Sequence, residues 1–278
     1  MQEEKRRSHA GQPVPQSRDR LALPWIAEQF TATSEQVRRL LARFGDEPGK
    51  TILSDSSTRN AIERWLTLDY IDKPQRLWGQ YTRFIWLSRS GLRQFGLPYR
   101  YYIPKQKDLY HHVQVNEVRL SLQERPNLDI WIPRRTLQAG AELEQKLRKT
   151  NAEAAEDTNV FFPDGLLRLP SERVKIAVCV IEREPQPYEL DLREMAQQLA
   201  QQYGFLRYYV CAEMLEKAQE LQATFHDFEQ FELYDLKTMQ LISNMISTVQ
   251  DSTQTGNTLP VPSCEPHARN PARRVRAR

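Results

Sequence analysis

Residues 56–96 constrain the fold more than any other stretch, because a helical pattern changes there into an extended one. Apolar side chains recur at helical spacing at Ile62, Trp65 and Leu66. The other side of this helix is polar and consists of Thr58, Arg59, Asn60, Glu63 and Arg64. Two short strands follow, around Lys73, Arg76, Gly79 and Arg83. Such a helix and basic hairpin would place one element in a DNA groove and the other on phosphates.

The segments on either side of this stretch extend the pattern. Residues 21–30 and 34–45 each carry an apolar stripe, and Thr33 or Ser34 is expected to cap the second helix. Ser56 or Ser57 is expected to cap the third helix. In FIWLSRSGLRQFGLP we expect a returning strand and then a short helix capped by Ser88. The resulting order, helix–helix–helix–strand–strand, predicts a winged helix-turn-helix over residues 21–98.

Charge is distributed unevenly along the chain, although the formal net charge is only +3. Residues 1–107 contain 19 Lys and Arg against 11 Asp and Glu, whereas residues 108–260 contain 15 against 24. Residues 261–278 contain five basic residues and one acidic residue. This asymmetry favours contact with a polyanion at the front of the chain and not at its centre.

Residues 108–249 alternate predicted strands with predicted helices, which is typical of an α/β sheet covered by helices. The run KIAVCVI is apolar throughout, as in a central strand that is buried on both faces. The last predicted element of this region is a helix over 236–249. We therefore predict an α+β or α/β protein with a disordered tail (1–20), the winged helix (21–98), a linker (99–107), an α/β domain (108–249) and a disordered basic tail (250–278).

Membrane and secretory signals are missing from the sequence pattern. No apolar run approaches the ~20 residues of a membrane span, and the polar N-terminus is unlike a secretory signal. The three cysteines have no zinc-site spacing and are expected to be reduced thiols. We expect a cytoplasmic protein, associated with the nucleoid or a plasmid, that has no membrane partner.

Several carboxylates in the back half suggest a catalytic alternative. Asp164, in the sequence PDG, lies on one predicted strand, Glu182 lies at the end of the next, and Glu117 on the preceding helix could join them. Converging carboxylates suit Mg²⁺ or Mn²⁺, and their order is that of PD-(D/E)xK nucleases. Glu184 stands where the nuclease pattern requires a lysine, which favours a nuclease-like scaffold or dimerisation unit over an enzyme. His111 and His112 begin the helix of Glu117, and at most one of them can face the acids.

Four motifs in order, FIWLSRSGLRQFGLP, HHVQVNEVRLSL, PDG and IERE, together resemble those of bacterial replication-relaxation proteins. FIWLSRSGLRQFGLP is similar to the helix that closes their winged-helix part, and HHVQVNEVRLSL is similar to their next helix. PDG at 163–165 and IERE at 181–184 resemble their two acidic strands. The resemblance covers about 21–224 and implies a plasmid or mobile-element DNA-binding protein with a nuclease-like domain. The basic residue that the family has downstream of the second Glu is replaced here by PQPY.

The sequence therefore predicts double-stranded DNA binding in plasmid or mobile-element replication, relaxation or transcription control, with a homodimer as one option. Asn pairs with adenine and Arg with guanine, so the groove face is expected to be Thr58, Arg59, Asn60 and Arg64. The expected phosphate contacts are Lys73, Arg76 and Arg83. The alternatives are a metal-dependent endonuclease, with Asp164 and Glu182 as metal ligands and Glu117 and Glu184 as further acids, and a protein-interaction adaptor.

Overall fold

A computed structural model describes residues 14–45, 49, 51–76, 82–123, 131–150, 161–168, 174–185 and 190–246. These residues belong to one compact unit. Within these ranges the α-helices are α1 (Asp19–Glu28), α2 (Ser34–Arg43), α3 (Asp55–Thr67), α4 (Arg89–Gln94), α5 (Gln106–Gln123), α6 (Arg134–Thr150), α7 (Leu192–Ala200) and α8 (Leu215–Thr224). The strands are β1 (Ala32–Thr33), β2 (Gln75–Arg76), β3 (Arg83–Ile85), β4 (Trp131–Pro133), β5 (Gly165–Arg168), β6 (Lys175–Ile181), β7 (Phe205–Val210), β8 (Gln230–Asp235) and β9 (Leu241–Ile246).

The front of the chain packs three helices against a small antiparallel sheet with the strand order β1-β3-β2. Thr33 caps α2 in a reciprocal capping box with Gln36, which is one of the two caps expected there. Ser54 caps α3, so the expectation of Ser56 or Ser57 is wrong. The reason is that the helix begins at Asp55 and the Ser54 hydroxyl accepts from the backbone N–H of Ser57. Trp65 is fully buried in the core of this region.

The short helix α4 closes the front region as expected. Ser88 caps it by accepting a hydrogen bond from the Gly91 N–H at 2.9 Å. A Cβ at Gly91 would lie 2.0 Å from the Tyr70 carbonyl oxygen, so only glycine allows this helix to pack so closely. Gly96 follows with a φ of +60°, which ends the segment. Gly79 of the predicted hairpin lies outside the described residues.

The back of the chain forms a six-stranded sheet of order β4-β5-β6-β7-β8-β9. Strands β4, β5 and β6 pair antiparallel, β6, β7 and β8 pair parallel, and β9 returns antiparallel to β8. In β6 every residue from Ile176 to Ile181 is buried, as the apolar run predicted. The two parallel crossovers contain α7 and α8, which fits a mixed α and β sheet covered by helices.

The predicted helix over 236–249 is wrong, because the described part of this segment forms a turn and then β9. The Thr238 N–H donates to the Asp235 carboxylate at 2.6 Å, and Met239 has a φ of +57°, so the chain reverses at this point. Pairing with the exposed edge of β8 then satisfies the backbone of 241–246. The apolar residues of this short segment fit both the helical and the strand period, and pairing with β8 decides that the segment is a strand. The tails at 1–13 and 247–278 lie outside the described residues.

Helix α5 joins the front and back of the fold. Asn116 is fully buried and donates to the Thr31 carbonyl at 2.8 Å in the front region. Arg119 pairs with Glu28 of α1 at 2.6 Å. On its other side, Val118 packs with the core residues of the large sheet, including Val178. The position of α5 is therefore fixed from both sides, and so are the side chains at its N-terminal end.

Candidate functional sites

A buried histidine bridges two carboxylates at one edge of the large sheet. His111 Nε2 lies 2.8 Å from Asp164 Oδ1, and His111 Nδ1 lies 2.9 Å from Glu182 Oε2. Asp164 directly precedes β5 and Glu182 directly follows β6, and these strands are antiparallel, so both acids reach the same edge. The expectation that Asp164 lies near Glu182 is confirmed, because the His111 ring contacts both side chains. We call His111, Asp164 and Glu182 the His111 clamp.

Neighbouring groups hold the clamp in a charged state. Asp164 Oδ2 accepts from the Val180 N–H at 2.8 Å, and a guanidinium nitrogen of Arg134 lies 3.6 Å from Asp164 Oδ1. Burial alone would lower the pKa of His111, but the charges and hydrogen bonds of Asp164 and Glu182 outweigh it and raise the pKa to about 10. Burial alone would raise the pKa of Asp164, and the charge of His111 reverses this and lowers it.

The neighbouring His112 has a different environment, as the helical geometry predicted. Its ring stacks on Phe30 with centroids 5.0 Å apart, and Tyr102 meets it edge-on at 6.0 Å. Burial first and then the charge of His111 lower the pKa of His112 to about 4. His112 is therefore a neutral packing residue, and only His111 contacts the acids.

A cleft of about 830 Å³ opens beside the clamp. Its lining combines the clamp with Phe30, Phe161 and Arg134. The Arg134 guanidinium lies 5.6 Å from the centroid of the Phe161 ring. Arg134 was not predicted as a site residue, although its position directly after β4 was a usable signal, since strand ends gather at the edges of a sheet.

Two of the four acids predicted for a nuclease lie away from this cleft. Glu117 contacts Gln36 at 2.9 Å and Arg39 at 2.5 Å, so it faces α2, and its expected place beside Asp164 is wrong. Glu117 lies six positions after His111 on α5, which is a rotation of roughly 240° beyond one full turn. Glu184 is exposed and pairs with Lys217, because β6 ends at Ile181 and strand alternation no longer applies.

The residues of the clamp do not fit a divalent cation. A metal would need carboxylate oxygens of Asp164 and Glu182, but one oxygen of each lies against a ring nitrogen of His111, and the second Asp164 oxygen accepts from the Val180 N–H. An imidazole that donates from both nitrogens has no lone pair for a metal. Within the described ranges, no group of three or more His, Cys, Asp or Glu side chains could hold a metal ion.

The predicted groove face of α3 divides into exposed and buried residues. Arg59 and Asn60 are exposed as predicted. Thr58 is 3% exposed and its hydroxyl donates to the Ser54 carbonyl at 2.9 Å, so its placement on the exposed face is wrong. Thr58 lies three and four residues before Ala61 and Ile62, so it shares their buried face of α3.

Arg64 is the second predicted groove-face residue whose side chain is mostly buried. It donates through Nε at 3.0 Å and through a terminal nitrogen at 2.8 Å to the two carboxylate oxygens of Asp19. The Asp19 side chain is 0% exposed and the Arg64 side chain 13% exposed. A fully buried carboxylate requires such a partner, so Arg64 has a structural role that its polar character alone did not reveal.

The three residues predicted to contact phosphates lie on or near the strands of the small sheet. Lys73, Arg76 and Arg83 are all exposed. Arg76 and Arg83 are paired across β2 and β3. Residues 77–81, which connect these strands, lie outside the described residues. Exposed Arg59, Asn60, Lys73, Arg76 and Arg83 therefore form the accessible part of the predicted DNA surface.

Comparison with protein families and with curated proteins finds no match to this chain. In the part of the chain that the structure describes, no helix has the length and apolar character to cross a membrane.

Proposed function

We propose that this protein binds double-stranded DNA through a winged helix over residues 21–98, in the control of plasmid or mobile-element replication, relaxation or transcription. The observation that carries the proposal is that α3 has one face buried in the core and another face exposed to solvent. Ala61, Ile62 and Trp65 are buried in the core, whereas Arg59 and Asn60 project into solvent. An arginine and an asparagine on an exposed helix are suited to bidentate contacts with guanine and adenine.

The arrangement around α3 supports this proposal. The element order α1, β1, α2, α3, β2, β3 and the sheet order β1-β3-β2 agree with a helix-turn-helix followed by a wing. Arg76 and Arg83 are exposed on the hairpin strands that would form the wing. The excess of basic residues in 1–107 would attract the phosphate backbone.

The back half supports a scaffold role better than the endonuclease alternative. The order of β4 to β8 and the acids at one sheet edge suggest a nuclease-like domain, as in the replication-relaxation resemblance. Glu117 and Glu184 are engaged elsewhere, and His111 lies between Asp164 and Glu182. The remaining alternative, an adaptor whose winged helix binds proteins, is separated from DNA binding by experiment.

The test is a titration of the full chain with duplex DNA at several salt concentrations, preceded by selection of bound sequences from a random pool. Each phosphate contact contributes ~0.9 to the slope of log affinity against log salt. Arg76→Ala should flatten this slope by about one contact. Arg59→Ala should relax base preference at one position, at a cost of ~1–3 kcal/mol.

The matched control is Arg193→Ala. Arg193 is an exposed arginine on α7, in the acidic half of the chain. It should leave both the slope and the preference unchanged. If the wild-type chain shifts no duplex at low salt, the DNA proposal is rejected and the adaptor alternative stands.

A further inference from the structure

We infer that the imidazolium of His111 takes the place of a metal cation between Asp164 and Glu182, so that this carboxylate pair fixes α5 to the large sheet and binds no divalent ion. This inference is independent of DNA binding. The endonuclease alternative makes Asp164 and Glu182 the ligands of a metal ion, and the inference gives this pair a different ligand. That ligand belongs to the chain itself.

The geometry of the ring determines its protonation. A neutral imidazole carries one N–H and can donate to one carboxylate only. Here both ring nitrogens lie within 3 Å of a carboxylate oxygen, at 2.8 Å from Asp164 and 2.9 Å from Glu182. Both contacts are hydrogen bonds to carboxylates only when both nitrogens carry protons. The ring then supplies a positive charge at the midpoint of two acids.

The acids are too buried to remain charged without a cation. The side chains of Asp164 and Glu182 are 8% and 10% exposed. Two like charges that share such a site repel, and one would be neutralised unless a positive group lay between them. Arg134 contributes at 3.6 Å from Asp164, but among the described residues it forms no ion pair with Glu182. His111 is the group that contacts both acids.

The inference also explains why α5 carries the cation. The same helix contacts the front region through Asn116 and Arg119, at 2.8 Å and 2.6 Å from their partners. A protein side chain as the bridging cation connects these contacts directly to the edge of β5 and β6. A metal ion bound by Asp164 and Glu182 alone would neutralise the acids but would not link the N-terminal part of α5 to the ends of β5 and β6.

Two measurements on the wild-type chain test the inference. Nitrogen-15 spectra should show His111 protonated on both ring nitrogens at neutral pH, with or without a chelator. Electron paramagnetic resonance of added Mn²⁺ should show no ion bound at Asp164, so the wild type and Asp164→Asn should bind the same amount of Mn²⁺. A singly protonated His111, or bound Mn²⁺ that is lost in Asp164→Asn, would overturn it.

Variants provide a gain-of-site test. His111→Ala leaves Asp164 and Glu182 without their cation, so Mn²⁺ should raise the melting temperature of this variant by roughly 5 °C at saturating concentration. The response should disappear in His111→Ala combined with Asp164→Asn. His112→Ala is the matched control, because it removes the adjacent ring that contacts Phe30 and Tyr102, and it should show no response to Mn²⁺.

A folded His111→Ala variant that does not respond to Mn²⁺ would contradict the inference, and so would a wild-type chain that responds as strongly as the variant. If His111→Ala does not fold, the two wild-type measurements decide the question by themselves. DNA binding enters none of these readouts, so failure of the DNA proposal leaves this test intact.

Discussion

Replacing Arg64 tests whether this arginine stabilises the fold or contacts DNA. The Arg64→Met variant keeps the aliphatic stem but removes both hydrogen bonds to Asp19, at 3.0 Å and 2.8 Å. The buried Asp19 carboxylate would keep one backbone donor, the Gln16 N–H at 2.8 Å. Breaking a buried ion pair from one side costs ~3–5 kcal/mol, because the remaining charge is desolvated and unpaired.

The expected loss is large enough for a simple assay. For a unit of this size, each kcal/mol corresponds to roughly 2–4 °C in melting temperature, so Arg64→Met should melt roughly 6–20 °C below the wild type. Urea unfolding monitored by circular dichroism measures the same loss as a free energy of unfolding. Arg59→Met, on the exposed side of the same helix, should change that free energy by less than ~0.5 kcal/mol.

A double variant separates the ion pair from other effects of the substitution. Asp19→Asn combined with Arg64→Met removes the unpaired charge, so it should be more stable than Arg64→Met alone. Below its melting temperature, Arg64→Met should keep the salt slope of the wild type for DNA, whereas Arg59→Met should weaken DNA binding. The reasoning is refuted if Arg64→Met is as stable as Arg59→Met and weakens DNA binding to the same extent.

Three further predictions follow from single contacts. Gly91→Ala should destabilise the protein by at least ~1–3 kcal/mol in urea unfolding, because its Cβ would lie 2.0 Å from the Tyr70 carbonyl oxygen, and an unchanged midpoint would show that this contact relaxes freely. Ser54→Ala should cost ~1 kcal/mol through the lost cap of α3, whereas Ser56→Ala should cost little, and the reverse order would restore Ser56 as the cap. The stability advantage of the wild type over His111→Gln should be full below pH 6.5 and should disappear as the pH rises through about 10. The reason is that folding raises the pKa of His111 from 6.5 to about 10. A stability advantage that grows with pH would contradict this prediction.

The front of the fold followed from the sequence because its signals are local. The apolar stripes of α2 and α3, and the caps at Thr33 and Ser88, depend on residues within a turn or two of each other. The apolar strand β6 was equally clear. The end of the chain was not, because 241–246 is a strand only through its pairing with β8, which the local pattern does not contain.

The candidate sites could be predicted only in part, because a sequence shows residue types and not their partners. The approach of Asp164 to Glu182 followed from antiparallel pairing. The choice of His111 over Glu117 did not, since it depends on the rotation of α5 against the sheet. Likewise, Arg64 and Arg59 have the same side chain on the same helix, and only the distant Asp19 distinguishes them.

The shared helix α5 has a consequence for how this chain can be divided. A fragment that stops at residue 98 would lose the amide of Asn116 from the Thr31 carbonyl and the Leu109 side chain from its cluster with Phe84 and Trp86. It would therefore expose to water the apolar surface that Leu109 covers and the backbone carbonyl that Asn116 binds in the intact protein. For protein engineering, the shortest transplantable unit of the front region thus extends through Gln123, and fusions that cut in the segment 99–107 would separate α1 to α4 from part of their own core.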